Sequence, residues 1–353
     1  MKRSSTYRLT DEKHDARGVH FKCRMALTLV RSFILALVSI LSLGLLPAGD
    51  AAAQYPERNI TIIVPMAPGG YTDILARLIG NQMREKLGRP VIVENKPGAG
   101  ATIGTLAAAR ANPDGYTLLS IADQILINQY LYKNIAYDAV RDFVPVTELL
   151  ISPMVIFVRA DSPIKSFSHL LEMTRKEPNR FNYASPGNGS SPHIAMEALK
   201  AQTGMSIQHV AYPGAAPQMQ AIMGGTIEVG TLGLAGPYKG MKSGQLRGLL
   251  ILDDKRWSDL PDLPTAKELG IAVPTAVWYN TQAIYAPAGT PKEVVDKIAQ
   301  IAIDTMTEPE NRRKWEGLGN IVTAKGPQAL GERMRMESPV FREIITSMKI
   351  KVD

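Results

Sequence analysis

The chain lacks the residues on which several classes of protein depend. It has one cysteine and five histidines among 353 residues, which excludes a disulfide-stapled fold and a zinc ribbon. Lysine and arginine outnumber acidic residues by seven. However, residues 1–53 hold eight basic and four acidic residues, which leaves 32 against 29 from residue 54 onward. A body so nearly balanced in charge gives no indication of nucleic-acid binding.

One uncharged apolar run, Phe33–Leu46, lies near the N-terminus. Basic residues precede it, and the sequence Asp-Ala-Ala-Ala ends the segment at Ala53. At about 1.5 Å per residue, this run is too short to cross a hydrocarbon core of about 30 Å. We therefore predict that residues 1–53 are an N-terminal extension and signal peptide, cleaved before Gln54. The mature protein is then periplasmic, and translation starts at Met1 or Met25.

From residue 54 onward, apolar β-branched runs alternate with glycine-rich turns and amphipathic helices. In the first of these units, the strand 60–64 leads to a helix that Thr72 is expected to cap. Farther along, Ser191 is expected to cap a helix that begins at Pro192. This alternation predicts an α/β fold in which mainly parallel sheets are flanked by helices. No strand is expected between the last two helices, 291–307 and 327–348.

The same pattern predicts two domains and places a binding site between them. We expect crossovers near residues 150–152 and 280–282, so that domain 1 comprises residues 54–150 and 283–353 and domain 2 comprises residues 151–282. Four strand–loop–helix junctions lie at residues 67–73, 95–103, 185–193 and 212–217, and they include Asp73 and Tyr212. Ligands gather at the carboxyl ends of parallel strands, where helix N-termini attract anions. These junctions therefore predict a site for a small anion, unless their glycines serve only to connect the elements.

Other motifs favour no catalytic or cofactor site. Ser190 and His193 suggest the nucleophile and base of a periplasmic hydrolase, but the chain has no G-x-S-x-G elbow at this position. A capping serine and a helix-surface histidine are the alternative. The glycines at 98, 100 and 104 are spaced one residue too widely for a dinucleotide fingerprint. The histidines show no metal spacing. We expect neither cofactor nor metal.

Asp123 is open to two interpretations. It follows the predicted strand 116–121, and therefore lies at the carboxyl end of the sheet. A carboxylate facing the ligand there would repel an anion by about 1 kcal/mol at 4 Å in water, and it would favour a ligand that carries an ammonium group. Alternatively, Asp123 caps the helix that begins near Gln124.

A set of motifs follows in order along residues 55–353. They are YPERNITIIVP at 55–65, PGG at 68–70, VENKPGAG at 93–100, PDGYTLL at 113–119, DF-x-PV at 142–146, Y-x-S-x-G-x-GS-x-x-H at 183–193, LPDLPT at 260–265 and APAGTP at 286–291. With this set the chain resembles the Bug family, the periplasmic solute receptors of tripartite tricarboxylate transporters. It departs from the family at Ala101, where a further glycine is usual.

The resemblance implies a two-domain type II periplasmic binding protein of the Venus-flytrap type. Such a receptor closes on a small organic carboxylate, carries out no chemical step and delivers its ligand to a membrane permease. A sensor partner in place of the permease is the alternative, and we expect a monomer. Carried over to matching positions, the family's ligand contacts point to Pro68, Gly69, Gly70, Gly98, Ala99, Ser185, Gly187, Ser190 and His193.

Overall fold

Ten strands and ten α-helices lie within residues 55–347, the part of the chain that the computed structural model describes. The strands are β1 (Ile60–Val64), β2 (Val91–Asn95), β3 (Thr117–Ile121), β4 (Phe143–Arg159), β5 (Asn182–Ser185), β6 (Gln208–Ala211), β7 (Val229–Gly233), β8 (Leu246–Ile251), β9 (Tyr279–Pro287) and β10 (Ile321–Lys325). The helices are α1 (Tyr71–Leu87), α2 (Thr102–Ala109), α3 (Gln124–Leu131), α4 (Phe167–Lys176), α5 (Ser191–Thr203), α6 (Ala215–Met223), α7 (Tyr238–Lys242), α8 (Lys292–Thr307), α9 (Pro309–Glu316) and α10 (Pro327–Ser347). The expected signal peptide and both candidate start codons lie outside the described residues.

The strands form two sheets that share β4. In the first sheet the order is β2-β1-β3-β9-β4, and in the second it is β4-β7-β5-β6, while β10 and β8 also pair with β4. Pairing is parallel where β1 meets β2 and β3, and where β5 meets β6 and β7. Every pair that involves β4 or β9 is antiparallel. The predicted α/β fold is confirmed, and every strand of a parallel pair is followed by a helix.

The long strand β4 changes partners partway along its length. Pro153 still pairs with Tyr279 of β9, whereas Met154 pairs with Gly233 of β7. The crossovers expected near residues 150–152 and 280–282 fall inside this antiparallel pair, where Leu150 lies opposite Gln282. The strand β4 therefore passes from the first sheet to the second at this point, where β9 begins beside it.

The alternating side chains of β4 serve two hydrophobic cores. Met154 and Ile156 point into a cluster that includes Tyr183, whereas Val155 and Phe157 point into a separate cluster. Because successive side chains of a strand face opposite sides, one strand can complete both cores. All four of these β4 side chains are fully buried, which explains why this part of the sequence is a continuous apolar run.

Three local predictions were wrong. The helix α1 begins at Tyr71 with Gly70 in the cap position, so Thr72 lies inside the helix. Ser190, one residue before the predicted position, caps α5 by accepting a hydrogen bond from the His193 N–H group. The strand β10 lies between α9 and α10 and pairs with β4, whereas no strand was expected there. Among the described residues, no helix has the length and apolar character needed to cross a bilayer.

The contact between Gly230 and Phe157 provides a test of the β4–β7 pairing. These residues lie opposite each other, and a Cβ atom on Gly230 would lie 2.7 Å from Cε2 of Phe157. We expect Gly230→Ala to lower the free energy of unfolding by about 1–3 kcal/mol, because the ring has no room to move. Denaturant unfolding measures this change.

The matched control is Gly326→Ala, whose added methyl group would meet its nearest atom, in Ile303, at 3.8 Å. Combining Gly230→Ala with Phe157→Leu should cost less than the sum of the two single changes, because the smaller side chain relieves the overlap. Strict additivity would contradict the expected contact.

Candidate functional site

Asp73 fixes the loop that follows β1. Its carboxylate accepts hydrogen bonds from the Gly69 N–H group (2.9 Å), Asn95 Nδ2 (2.9 Å) and both Nε and Nη2 of Arg77. Burial alone would raise the pKa of Asp73, but the hydrogen bonds from Arg77, Gly69 and Asn95 outweigh it and lower the pKa. The carboxylate is therefore engaged inside the protein. Pro68, Gly69 and Gly70 are exposed at the loop that it holds.

The loop after β2 has an uncommon backbone conformation. Four consecutive residues have positive φ angles: Gly98 (130°), Ala99 (45°), Gly100 (60°) and Ala101 (81°). Alanine at positive φ costs roughly 1–2 kcal/mol because its Cβ crowds the carbonyl oxygen. Ala101 stands where a further glycine was expected from the family pattern, so here an alanine adopts the conformation that glycine favours.

Side chains from the two following helices hold the carbonyl groups of this loop. Asn128 Nδ2 of α3 donates to Gly100 O at 2.6 Å, and Thr102 Oγ1 of α2 donates to Ala99 O at 2.8 Å. In a trans peptide the C=O and N–H groups point in opposite directions. The N–H group of Gly100 is therefore directed away from Thr102.

In the second sheet, the loop after β5 is held through Ser185. Its hydroxyl lies 2.6 Å from His209 Nε2 and accepts a hydrogen bond from the Gly187 N–H group at 3.2 Å. The Gly189 N–H group donates to His193 Nδ1 at 3.1 Å. Several N–H groups that were expected to face a ligand are thus engaged by internal acceptors. Tyr212, after β6, lies beside this loop because its N–H group donates to Ser185 O.

Three stacked rings lie next to the loop after β5. The His193 and His209 rings lie 4.0 Å apart at an angle of 13°, and His209 stacks on Tyr183 at 4.8 Å. Burial lowers the pKa of His193 to about 4 and that of His209 to about 3, and the nearby Lys200 adds to both shifts. Both histidines are therefore neutral at pH 7.

The geometry around Ser190 differs from that of a nucleophile and its base. The Ser190 hydroxyl donates to Gly187 O at 2.7 Å and accepts from the His193 N–H group. The His193 ring, in turn, accepts the Gly189 N–H group. Both side chains thus organise the backbone at the start of α5, as the capping alternative predicted for Ser190. The helix-surface placement predicted for His193 was wrong, because its ring is buried.

The loops of the two sheets meet where α3 packs against the start of α5. A Cβ atom on Gly189 would lie 3.2 Å from Asn128 Oδ1 and would overlap the Leu131 side chain. At the first residue of α5, Asn280 Nδ2 of β9 donates to Ser191 Oγ at 3.3 Å. Glycine is required at position 189 because this approach leaves no room for a side chain.

Asp123 fits neither of the two interpretations of the sequence. It occupies the position before α3, but its side chain makes no capping hydrogen bond. The carboxylate is buried and accepts from the Thr281 N–H group (2.9 Å) and Ser191 Oγ (3.3 Å), while Arg333 Nη2 lies 4.0 Å away. Its partners are thus internal groups on β9, α5 and α10.

Sequence reasoning missed two residues that position the loops. Asn128 lies in the apolar helix α3 and is fully buried; a lone amide among apolar residues is a signal that it has a specific partner. His209 lies on β6, 24 positions from its partner Ser185. No sequence signal separates it from a surface histidine, because the contact exists only once β5 and β6 are paired.

The buried histidines predict a specific pH dependence of stability. A histidine in the unfolded chain takes up a proton near pH 6.5, whereas His193 does so only near pH 4. Between these pH values the unfolded chain binds more protons than the folded protein. The contribution of His193 to the free energy of unfolding is therefore lost as the pH falls from about 6.5 to 4. We expect His193→Gln, which keeps an acceptor for Gly189, to flatten the dependence of the unfolding free energy on pH in this window.

Denaturant titrations at several pH values measure this slope. The matched control is His169→Gln, since His169 lies on α4 and outside the stacked rings. Equal slopes for His193→Gln and the wild-type protein would show that His193 is not buried in its neutral form.

Comparison with known proteins adds to this geometry. The family model of the tripartite tricarboxylate transporter family receptor matches residues 75–345. The structure of the periplasmic binding protein BugD is 32% identical, has a TM-score of 0.75, and covers 84% of this chain and 99% of its own. MatC from Rhodopseudomonas palustris with bound malate is 27% identical (TM-score 0.74; 82% and 100% covered). A further R. palustris protein, with adipate, is also 27% identical (TM-score 0.76; 84% and 99% covered).

These similarities confirm the family resemblance read from the motifs and the fold that it implied. The matched family consists of solute-binding receptors and not of enzymes, in agreement with the backbone contacts of Ser190 and His193. The hydrolase alternative is therefore wrong. The chain belongs to the receptor family of the tripartite tricarboxylate transporters, that is, to the periplasmic solute-binding proteins of the Bug type.

Proposed function

We propose that this chain is a periplasmic receptor that captures a small dicarboxylate and delivers it to the permease of a tripartite tricarboxylate transporter. The observation that carries the proposal is the meeting of glycine-rich loops from both sheets where α3 packs on α5. Loops from two sheets on either side of one solute can hold both of its ends. The malate and adipate bound by two relatives each have two carboxylates.

The charge of the loops supports recognition by neutral donors. Across the four junctions, the single lysine or arginine is Lys96, whose Nζ lies 3.3 Å from Glu94 Oε1. A carboxylate bound here would therefore be held by N–H groups, hydroxyls and the positive ends of helices. We assign the Gly100 N–H group to one carboxylate and the N-terminus of α5, beside Ser190, to the other.

The division into two domains remains part of the proposal. Domain 1 (residues 54–150 and 283–353) would carry the first sheet, and domain 2 (residues 151–282) would carry the second. The sharing of β4 between the sheets supports this division. We propose that ligand binding closes the domains about the β4–β9 pair.

Calorimetry with defined solutes tests the binding proposal. We expect malate or adipate to bind with a micromolar or lower Kd, because the anion is buried among oriented donors. A micromolar Kd corresponds to a binding free energy on the order of −8 kcal/mol. At a ligand concentration of 100 Kd the fold should gain about 2.7 kcal/mol of stability. Binding should be unchanged after chelator treatment and should reduce the radius of gyration measured by X-ray scattering.

Adipamide is the matched control ligand, since it keeps the chain length of adipate and lacks both carboxylates. If adipamide binds as tightly as adipate, the site does not recognise carboxylate. Consumption of the solute during the titration would also contradict a receptor.

Export is tested by the mass of the protein in the periplasmic fraction. We expect the mature chain to begin at Gln54, because the apolar run and the Ala51–Ala53 ending form a cleavable signal. Replacing Ala53 with Phe should impair cleavage, since the peptidase accepts small residues at this position. A periplasmic protein that still contains Phe33–Leu46 would contradict the prediction.

A further inference from the structure

A chain of side-chain hydrogen bonds runs from the start of α1 to the start of α5. Thr72 Oγ1 donates to Gln282 Oε1 (2.9 Å), and Gln282 Nε2 donates to Asn280 Oδ1 (2.8 Å). Asn280 Nδ2 then donates to Ser191 Oγ (3.3 Å), which donates to Asp123 Oδ2 (3.3 Å). We name these five residues the Thr72–Asp123 chain. Four of them are buried, and Asn280 is half-buried.

Every donor in the Thr72–Asp123 chain points toward Asp123. A hydroxyl or amide that donates in this direction becomes a better acceptor for the group behind it, so each link strengthens its neighbour. The direction is set by the carboxylate, which can only accept when it is ionised. The strand β9 makes the chain continuous, because Asn280 and Gln282 lie two residues apart and therefore share one face.

Asp123 is buried beside one cation, Arg333. Arg333 of α10 faces it and also pairs with Glu148 of β4 and with Glu337. Burial raises the pKa of Asp123 to about 6, while Arg333 and the hydrogen bonds from Thr281 and Ser191 oppose that rise. At pH 7.5 the carboxylate is therefore an anion that can order the chain.

Two residues of the Thr72–Asp123 chain lie close to the glycine-rich loops of the two sheets. Thr72 is the second residue of α1 and lies two positions after Gly70, and Ser191 follows Ser190 at the start of α5. We propose that Asp123 and Ser191 are positioning residues that couple the starts of α1 and α5, so that ligand loops from the two sheets are ordered together. This inference rests on the proposed receptor function, and it assigns these residues no direct contact with the solute.

Amide hydrogen exchange tests the coupling without any ligand. We expect Ser191→Ala and Asp123→Asn to raise exchange rates in the first turn of α1, and Thr72→Val to raise them in the first turn of α5. The conservative variants Thr72→Ser and Ser191→Thr keep the hydroxyls, and their exchange rates should equal those of the wild-type protein. Thr305→Val is the matched control, because the buried Thr305 hydroxyl donates to Ile301 O within α8, outside the chain.

Affinity for adipate or malate, whichever binds the wild-type protein, supplies the second measurement. Losing one hydrogen bond should weaken binding about 2- to 10-fold in Thr72→Val or Ser191→Ala. The double variant Thr72→Val/Ser191→Ala should have the same affinity as whichever single variant binds less tightly, because either change breaks the same chain.

The possible outcomes separate this inference from the proposed function. Exchange changes confined to the mutated helix, or affinity losses that multiply in the double variant, would overturn the coupling. If neither solute binds the wild-type protein, the dicarboxylate proposal fails. The exchange experiment would still decide whether the two helix starts are coupled.

Discussion

The antiparallel pairing of β4 with β9 is the constraint on which the rest of the structure depends. Pro153 is the last β4 residue paired with β9, and Met154 is the first paired with β7, so a single strand belongs to both sheets. The same strand fills two hydrophobic cores from its opposite faces. A shift of one residue in its register would exchange those faces, so that each core would receive side chains of the wrong shape. The loops after β1, β2 and β5 are held at their relative positions by this pair.

The loops themselves are ordered by polar contacts from within the protein. Asp73 accepts a hydrogen bond from the loop after β1, and Asn128 donates to a carbonyl group of the loop after β2. Ser185, which lies beside His209, holds the loop after β5. Because the two stacked histidines are neutral and the junctions carry one paired lysine, the loops hold little fixed charge of their own. Neutral donors that are already in place can bind an anion with little rearrangement. They also leave no buried charge unpaired when the solute dissociates.

Charge is concentrated instead behind the loops, around Arg333. Three carboxylates, those of Asp123, Glu148 and Glu337, surround this one guanidinium. Burial raises the pKa of Glu337 to about 7, although Arg333 opposes it. By contrast, the pKa of Glu148 is lowered, because Arg333 and Lys325 outweigh its burial. The arginine thus lies among three carboxylates, one that follows β3, one on β4 and one on α10. Removing it would leave Asp123 and Glu337 buried without the cation that faces them, a strongly destabilising change.

The sequence by itself determined the parallel βαβ units and the general location of the loops. Apolar runs and glycine turns are local signals, and they predicted β1 at residues 60–64 correctly. Strand β10 and the antiparallel pairs of β4 were not predicted, because pairing between distant segments leaves no local periodicity. The tertiary structure alone decided the role of Asp123. Its position after a strand was evident, but whether its carboxylate faced a ligand, capped α3 or joined Ser191 depended on β9, α5 and α10, which are far away in the chain.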